Sequence, residues 1–141
     1  MDYVIVYWSR YGNGKRVVEK LQTKLQEKGA NAQVFKTDEA DPKSLPEADT
    51  YIFSAPAEAF NVQKNMRSFM KNLENMDDKK FAIINTHGLK RNWLKKMDKL
   101  LSKKNMQKIA EVDFQVGKDA SSGNALMQGW ENKIQDFAEK I

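Results

Sequence analysis

An alternation constrains this chain more than any other feature. Short apolar runs rich in β-branched and aromatic residues take turns with stretches whose apolar residues recur at helical spacing. Tyr3-Val4-Ile5-Val6-Tyr7-Trp8 opens the series as a continuous run, the pattern of a strand buried on both faces. Gly12-Asn13-Gly14 breaks the run. Val17, Val18, Leu21 and Leu25 then mark one face of a helix that Gly29 ends. Ala32-Gln33-Val34-Phe35-Lys36 is the second strand, and it leads into a turn-rich connection with Asp41-Pro42 and Leu45-Pro46. Tyr51-Ile52-Phe53-Ser54-Ala55 is the third, stopped by Pro56, and Val62, Met66, Phe69, Met70 and Leu73 form the next helical stripe. Phe81-Ala82-Ile83-Ile84-Asn85-Thr86 is the fourth strand, ending in His87-Gly88, with Trp93, Leu94, Met97, Leu100 and Leu101 as the stripe behind it. Ile109, Val112, Phe114 and Val116 mark a fifth strand. A loop rich in Gly, Ser and Asp then reaches a last helix with Leu126, Met127, Trp130, Ile134, Phe137 and Ile141.

Repeated βα units predict an α/β fold with a parallel sheet and helices on both faces. Crossovers between parallel strands are right-handed, which leaves few topologies. At 141 residues the chain has room for one domain, residues 1–141, and a chain of this size buries roughly 68–70% of its unfolded surface. The expectation is a three-layer, doubly wound sandwich whose five-stranded sheet has the order 2-1-3-4-5. In such sheets ligands lie outside the carboxyl ends of the strands, at the switch point beside strand 1. The loops after strands 1, 3 and 4 therefore carry the candidate site.

Composition removes several classes of chemistry. There is no cysteine, so disulfides, thiolate metal sites and cysteine nucleophiles are excluded, and His87 is the sole histidine. The first residues lack the basic and apolar regions of a signal peptide, and no run approaches the roughly 20 apolar residues of a membrane span. The expected location is the cytoplasm. Lys and Arg number 24 against 19 Asp and Glu, a net charge of +5, which favours an acidic partner protein over a neutral one. The densest basic set, Lys95, Lys96, Lys99, Lys103 and Lys104, has helical spacing and reads as a solvated face; neither nucleic acid nor membrane is an expected partner. A monomer is expected.

The first loop reads Ser9-Arg10-Tyr11-Gly12-Asn13-Gly14-Lys15. Its glycines allow a tight turn and close backbone approach, and the helix behind it presents unpaired N–H groups and the positive end of its dipole. That combination suits a phosphate; the plain alternative is an ordinary strand-to-helix turn. Walker spacing is absent, and Val17 stands where a dinucleotide fingerprint needs its third glycine. A response-regulator receiver needs carboxylates after strand 1 and an aspartate ending strand 3; this chain has Ser9-Arg10 and Ser54-Ala55 there.

Residues 4–14, Val-Ile-Val-Tyr-Trp-Ser-Arg-Tyr-Gly-Asn-Gly, resemble the flavodoxin signature, whose loop is usually written [ST]-x-T-G-N-T. Ser9, Gly12 and Asn13 match it, and Ile52-Phe53-Ser54-Ala55-Pro56 is similar to the family's G-S-P-T stretch. The resemblance implies a flavodoxin-like fold, FMN binding and electron transfer to a redox partner. It places the phosphate on Ser9, Arg10, Tyr11, Gly12, Asn13, Gly14 and Lys15. It places the ring among Ser54, Ala55, Pro56, Ala57, Glu58 and Phe60 on one side and Thr86, His87 and Gly88 on the other, with Trp93 a further aromatic candidate. No catalytic residue or metal is implied, and an electron carrier is favoured over an enzyme.

Tyr11 and Gly14 stand where the family has threonines, and each hydrogen bond to a charged group is worth roughly 1.5–3 kcal/mol. Lys15 offers Coulomb attraction in return. These departures motivate an alternative, a non-redox binding or regulatory module on the same fold. Ala57-Glu58-Ala59 contains no glycine, so this loop is expected to resist positive φ. His87 reads as an exposed loop histidine without an orienting partner, a hydrogen bond to a flavin edge being the second reading. Arg10, Lys15, Arg16, Lys90 and Arg91 on or beside the loops would stabilise a reduced, anionic flavin.

Overall fold

The structure, a computed structural model, describes residues 1–141. Along the chain run β1 (Asp2–Tyr7), α1 (Asn13–Glu27), β2 (Asn31–Lys36), β3 (Thr50–Glu58), β4 (Asn61–Val62), α2 (Lys64–Lys71), β5 (Lys80–His87), α3 (Leu94–Ser102), β6 (Gln107–Gln115) and α4 (Trp130–Lys140). Strands β2-β1-β3-β5-β6 form a parallel sheet in that order. Setting aside β4, which pairs antiparallel to β3, this is the predicted 2-1-3-4-5 arrangement.

The pleat explains why the strands read as unbroken apolar runs. In β1, Val4 and Val6 point to the layer of α2 and α3, where they meet Tyr51, Phe53, Met66, Phe81 and Met97. Tyr3, Ile5 and Tyr7 point the other way, to Val17, Val18, Leu21, Ile52 and Phe137 in the layer of α1 and α4. Both faces are covered, so no polar alternation survives in the central strands. No helix is long and apolar enough to cross a membrane.

Three boundaries differ from the sequence reading. The third strand does not stop at Pro56: β3 runs on to Glu58, with Pro56 in register with Thr86, while the connection after β2 is turn-rich as expected and is tied down by Tyr51, whose hydroxyl donates to the Pro46 carbonyl at 2.7 Å and accepts from the Ala48 N–H at 3.1 Å. Val62 pairs with Ala57 in β4, so α2 starts later, at the Gln63 cap whose side chain accepts from the Met66 N–H at 3.0 Å. Leu126 and Met127 precede α4, and Leu126 bridges Val116 beyond the end of β6. Strand β6 itself is the sheet edge. Lys108 there pairs with Asp98 and Glu111 at 3.0 and 2.6 Å, charges of the kind that discourage edge-to-edge pairing.

Burial is the main cause that raises the phenol pKa of Tyr3, Tyr7 and Tyr51, with neighbouring carboxylates, Asp49, Glu39 and Glu47 respectively, adding to it. A raised folded pKa means the native state holds these protons longer than the unfolded chain. Their contribution is complete below a pH of about 10 and is lost as pH climbs through the folded values. Phenolate absorbance is therefore expected to appear in step with loss of far-ultraviolet ellipticity above that pH. Full ionisation of these tyrosines with the fold intact would contradict this.

Candidate functional site

At the carboxyl end of β1 the chain turns sharply. The Trp8 N–H bonds the Ser54 carbonyl at 3.0 Å, keeping β1 and β3 in register to their ends. The Gly12 N–H then donates to Ser9 Oγ at 3.1 Å, and Gly12 takes φ +107° as it caps α1. A side chain there would be strained, so the glycine is required by the turn itself. The N–H groups of Asn13, Gly14 and Lys15 have no acceptor within the protein. Any helix start leaves such donors. Here two further groups converge on them. A Cβ added at Gly14 would stand 3.7 Å from Ser9 Oγ and 3.9 Å from Thr86 Oγ1. Thr86 is only 4% exposed, and its hydroxyl bonds nothing in the protein. Backbone donors, two hydroxyls and the space left by a missing side chain thus form a cradle for a small anion.

A strap from the far end of the chain fixes this loop from outside. The Asn13 amide donates to the Ala120 carbonyl at 2.9 Å and accepts from the Ala125 N–H at 2.8 Å. Arg16 reaches Asn124 at 2.7 Å and lies over the Trp130 ring. Gly123, at φ +72°, passes so close that a Cβ would overlap the Tyr11 carbonyl oxygen. The Asn13 side chain is therefore committed to bracing the cradle. Arg10 is likewise committed: it makes a bidentate pair with Glu58, both bonds at 2.7 Å, and covers the Trp8 ring. This pair clasps the first loop to the hairpin that follows β3.

Next to the cradle a cleft of about 340 Å³ is bounded by Ser9, Tyr11, Pro56, Ala57, Thr86 and His87. Beside it lies a second space of about 300 Å³ between Ala59 and Phe60 on one side and Leu89, Arg91 and Trp93 on the other. Gly88 and Glu58 border both. Gly12 and Lys15 face a different groove, on the β2 side of the loop. Ser54 and Ala55 are buried one layer down. They act through backbone, Ser54 accepting from Trp8 and Ala55 from the Asn85 amide at 3.0 Å.

The glycine-free loop behaves differently from expectation. Ala59 and Phe60 already occupy the left-handed region, at φ 51° and 57°. The pairs Ala57 with Val62 and Glu58 with Asn61 leave a two-residue hairpin turn, and the favoured turn of that length needs positive φ at both central positions. Tertiary pairing thus overrides a local preference worth about 1–2 kcal/mol per residue. Phe60 is 80% exposed, at the rim of the second space. Phe60→Gly is expected to raise stability by about 1 kcal/mol, since relief of backbone strain exceeds the roughly 0.4–1 kcal/mol of added unfolded-state entropy. Urea unfolding measures this, and a lower midpoint would contradict it.

His87 is not an exposed loop residue. It is 4% exposed at the end of β5, with Nε2 at 2.6 Å from Asp113 Oδ2 and Nδ1 against the Leu89 carbonyl. A carbonyl only accepts, so Nδ1 carries a hydrogen. Asp113 is the orienting partner the sequence did not disclose; β5–β6 pairing sets it beside the ring from 26 residues away. Both ring nitrogens are engaged, leaving none free to act as a base. Asn85 is a second unanticipated brace: fully buried, it joins Ala55 to the Trp93 N–H, the latter at 2.8 Å. The one signal was a lone amide inside an apolar strand. Of the basic residues, Arg10, Arg16 and Lys15 have partners in Glu58, Asn124 and Glu19. Arg91 stacks on Trp93 at 4.2 Å and borders the second space with no carboxylate attached.

A doubly wound sheet with an anion cradle at its switch point, and a two-part cleft beside it, defines a flavodoxin-like protein. The chain belongs to the flavodoxin family: it matches the family described as "Flavodoxin domain" over residues 4–123. It is similar in fold to a flavodoxin from the domain Archaea, at 19% identity and TM-score 0.75, covering 99% of this chain and 98% of that one. Oxidised Flavodoxin 2 from Bacillus cereus is similar at 15% identity and TM-score 0.82, with 99% and 97% covered. Rubredoxin oxygen:oxidoreductase from Desulfovibrio gigas aligns at 12% identity and TM-score 0.81, over 99% of this chain and 35% of that one. No curated protein matches the sequence.

Proposed function

We propose that the protein is a cytoplasmic, FMN-binding electron carrier. The carrying observation is the cradle, where the unpaired N–H groups of residues 13–15 meet Ser9 Oγ and the unpartnered Thr86 hydroxyl across the space left by Gly14. These groups suit a phosphate monoester. The cleft lined by residues 57–60 on one side and 87–89, Arg91 and Trp93 on the other offers room for a flat ring. Bound there, the flavin supplies the capacity to take up and release electrons.

The protein's own residues do the holding. Ser9 keeps the hydroxyl of the family motif, and the Thr86 hydroxyl beside Gly14 offers a donor that Tyr11 and Gly14 do not provide. His87, locked by Asp113 and Leu89, fixes the wall made by the loop after β5. Arg91, unpaired beside the ring space, favours added negative charge there. The exposed position of Phe60 leaves the ring space open. A flavodoxin fold that had become a non-redox module would instead be expected to fill that space with its own side chain.

Titration of FMN and riboflavin by fluorescence quenching tests the reading. Two charge-assisted hydrogen bonds to the phosphate make FMN tighter than riboflavin by at least about 100-fold. Absence of quenching at micromolar FMN, or equal affinity for both, would end it.

A further inference from the structure

Three local costs gather around the second space, and the fold recovers none of them. Phe60 holds a left-handed φ of 57° with its ring in solvent, so neither the backbone nor the core gains from a phenyl group there. Leu89, on the opposite rim, is 66% exposed. The first turn of α3 holds Lys95 and Lys96 and no acidic residue, which puts cations at the positive end of the helix dipole. Natural chains break local rules where function requires it, and here three are broken on one face. The charge of that face has a single sign. Residues 88–97 contain Lys90, Arg91, Lys95 and Lys96 and no carboxylate. None of the four forms an ion pair. Lys90, Arg91 and Lys95 are exposed, and Arg91 is steadied by its stack on Trp93. The carboxylates closest in the chain or the cleft are already claimed: Glu58 by Arg10 at 2.7 Å, and Asp98, further along α3, by Lys108 at 3.0 Å.

We propose that this face docks an acidic one-electron protein, with Phe60 and Leu89 as apolar anchors and Lys90, Arg91, Lys95 and Lys96 as the basic rim. The proposal rests on the flavin reading above, because the ring space lies between the two anchors and a partner seated on them meets the ring's edge. An apolar centre with a charged border is the anatomy of a protein interface. Electron-transfer encounters bury less than about 1,200 Å², so a pair of anchors suffices, and rim charges act mainly on the rate of encounter. A second copy of this chain is a poor occupant, since it would set two basic faces against each other.

The test titrates the isotope-labelled full chain, with and without FMN, with oxidised plant-type ferredoxin as the acidic probe and mammalian cytochrome c as the basic one. Ferredoxin is expected to shift the amide resonances of residues 59–61 and 88–96, and to bind at least about tenfold more weakly when salt is raised from about 50 to about 500 mM. Lys90→Glu/Lys95→Glu is expected to weaken ferredoxin by at least about tenfold and to leave FMN affinity within about twofold. The fold of this variant holds, because both residues are exposed and unpaired and the second change favours the α3 dipole. Leu89→Ser is expected to weaken ferredoxin by about tenfold at either salt concentration. Cytochrome c shifting the same resonances, ferredoxin shifting others or none, or unchanged ferredoxin affinity in both variants overturns the proposal. Tighter binding of a single-stranded oligonucleotide or of anionic lipid vesicles to this face does so too. Ferredoxin docked on these residues by a chain that does not quench FMN sustains the docking face and ends the electron-carrier reading. FMN bound by a chain that ferredoxin leaves untouched does the reverse.

Discussion

Replacing Gly123 with alanine is expected to lower stability by about 2–5 kcal/mol, adding left-handed backbone strain of about 1–2 kcal/mol to overpacking of roughly 1–3 kcal/mol. The added methyl would overlap the Tyr11 carbonyl oxygen, and the neighbour that must move is backbone, with Gly12 Cα close behind it at 3.9 Å. Relief requires lifting the strap off the cradle. That movement breaks the Asn13 bonds to Ala120 and Ala125 and leaves buried polar groups without partners. Gly29→Ala is the internal control. Gly29 also has positive φ, at 84°, but nothing lies within 4 Å of an added Cβ, so only the backbone term of about 1–2 kcal/mol applies. Denaturant unfolding of both variants gives the comparison. Equal losses would show that the strap does not press on the loop, and the account of how the cradle is held would be wrong. A retained fold should also show weaker FMN binding in the Gly123 variant.

Gly14→Asp is expected to abolish FMN binding, by at least about 100-fold, with the fold intact. Two like charges about 4 Å apart repel by roughly 4 kcal/mol at an effective dielectric near 20, which corresponds to nearly three powers of ten. The new carboxylate would enter the space between Ser9 Oγ and Thr86 Oγ1, whose distances from the added Cβ, 3.7 and 3.9 Å, are ordinary contacts. Gly14 has no positive φ, so the backbone accepts an L residue there. An aspartate in the first turn of a helix is favourable to its dipole, and leaving glycine relieves a helix-interior penalty of up to about 1 kcal/mol. Stability should therefore hold or rise while affinity collapses. Fluorescence titration beside thermal unfolding separates the two. Wild-type FMN affinity in this variant would place the phosphate elsewhere and remove the basis of the proposed function.

The loop side of the cradle was legible because its parts are neighbours in sequence, whereas the Thr86 hydroxyl reaches it from β5 only in the folded sheet. Ser9, Gly12 and Gly14 lie within one turn after a strand, and strand-then-helix order says what the backbone must do there. The braces were illegible for the opposite reason. Asn13 and its partners Ala120 and Ala125 are joined only when α1 and the end of β6 come to the same side of the sheet. No local pattern announces that an asparagine in a glycine-rich turn will hold a distant loop. The same applies to Arg10 and Glu58, 48 residues apart.

The hairpin after β3 shows a local rule losing to a long-range one. Ala59-Phe60 carries none of the Asn-Gly signal of a tight two-residue turn, so the sequence points away from positive φ. Pairing of β4 with β3 imposes it. The burial of His87 has no local signal for a related reason: its shielding comes from Asp113 on the adjacent strand and from its own downstream loop.

By itself the sequence determined the layer architecture and the strand order, and pointed to the end of the sheet where the cradle lies. Those follow from hydrophobic period, glycine placement and the handedness of crossovers, which act over a few residues or are universal. Only the tertiary structure decided which side chains are free to meet a ligand. That depends on which distant groups have already claimed them, and hydrogen bonds across tens of residues exist only once the sheet has formed.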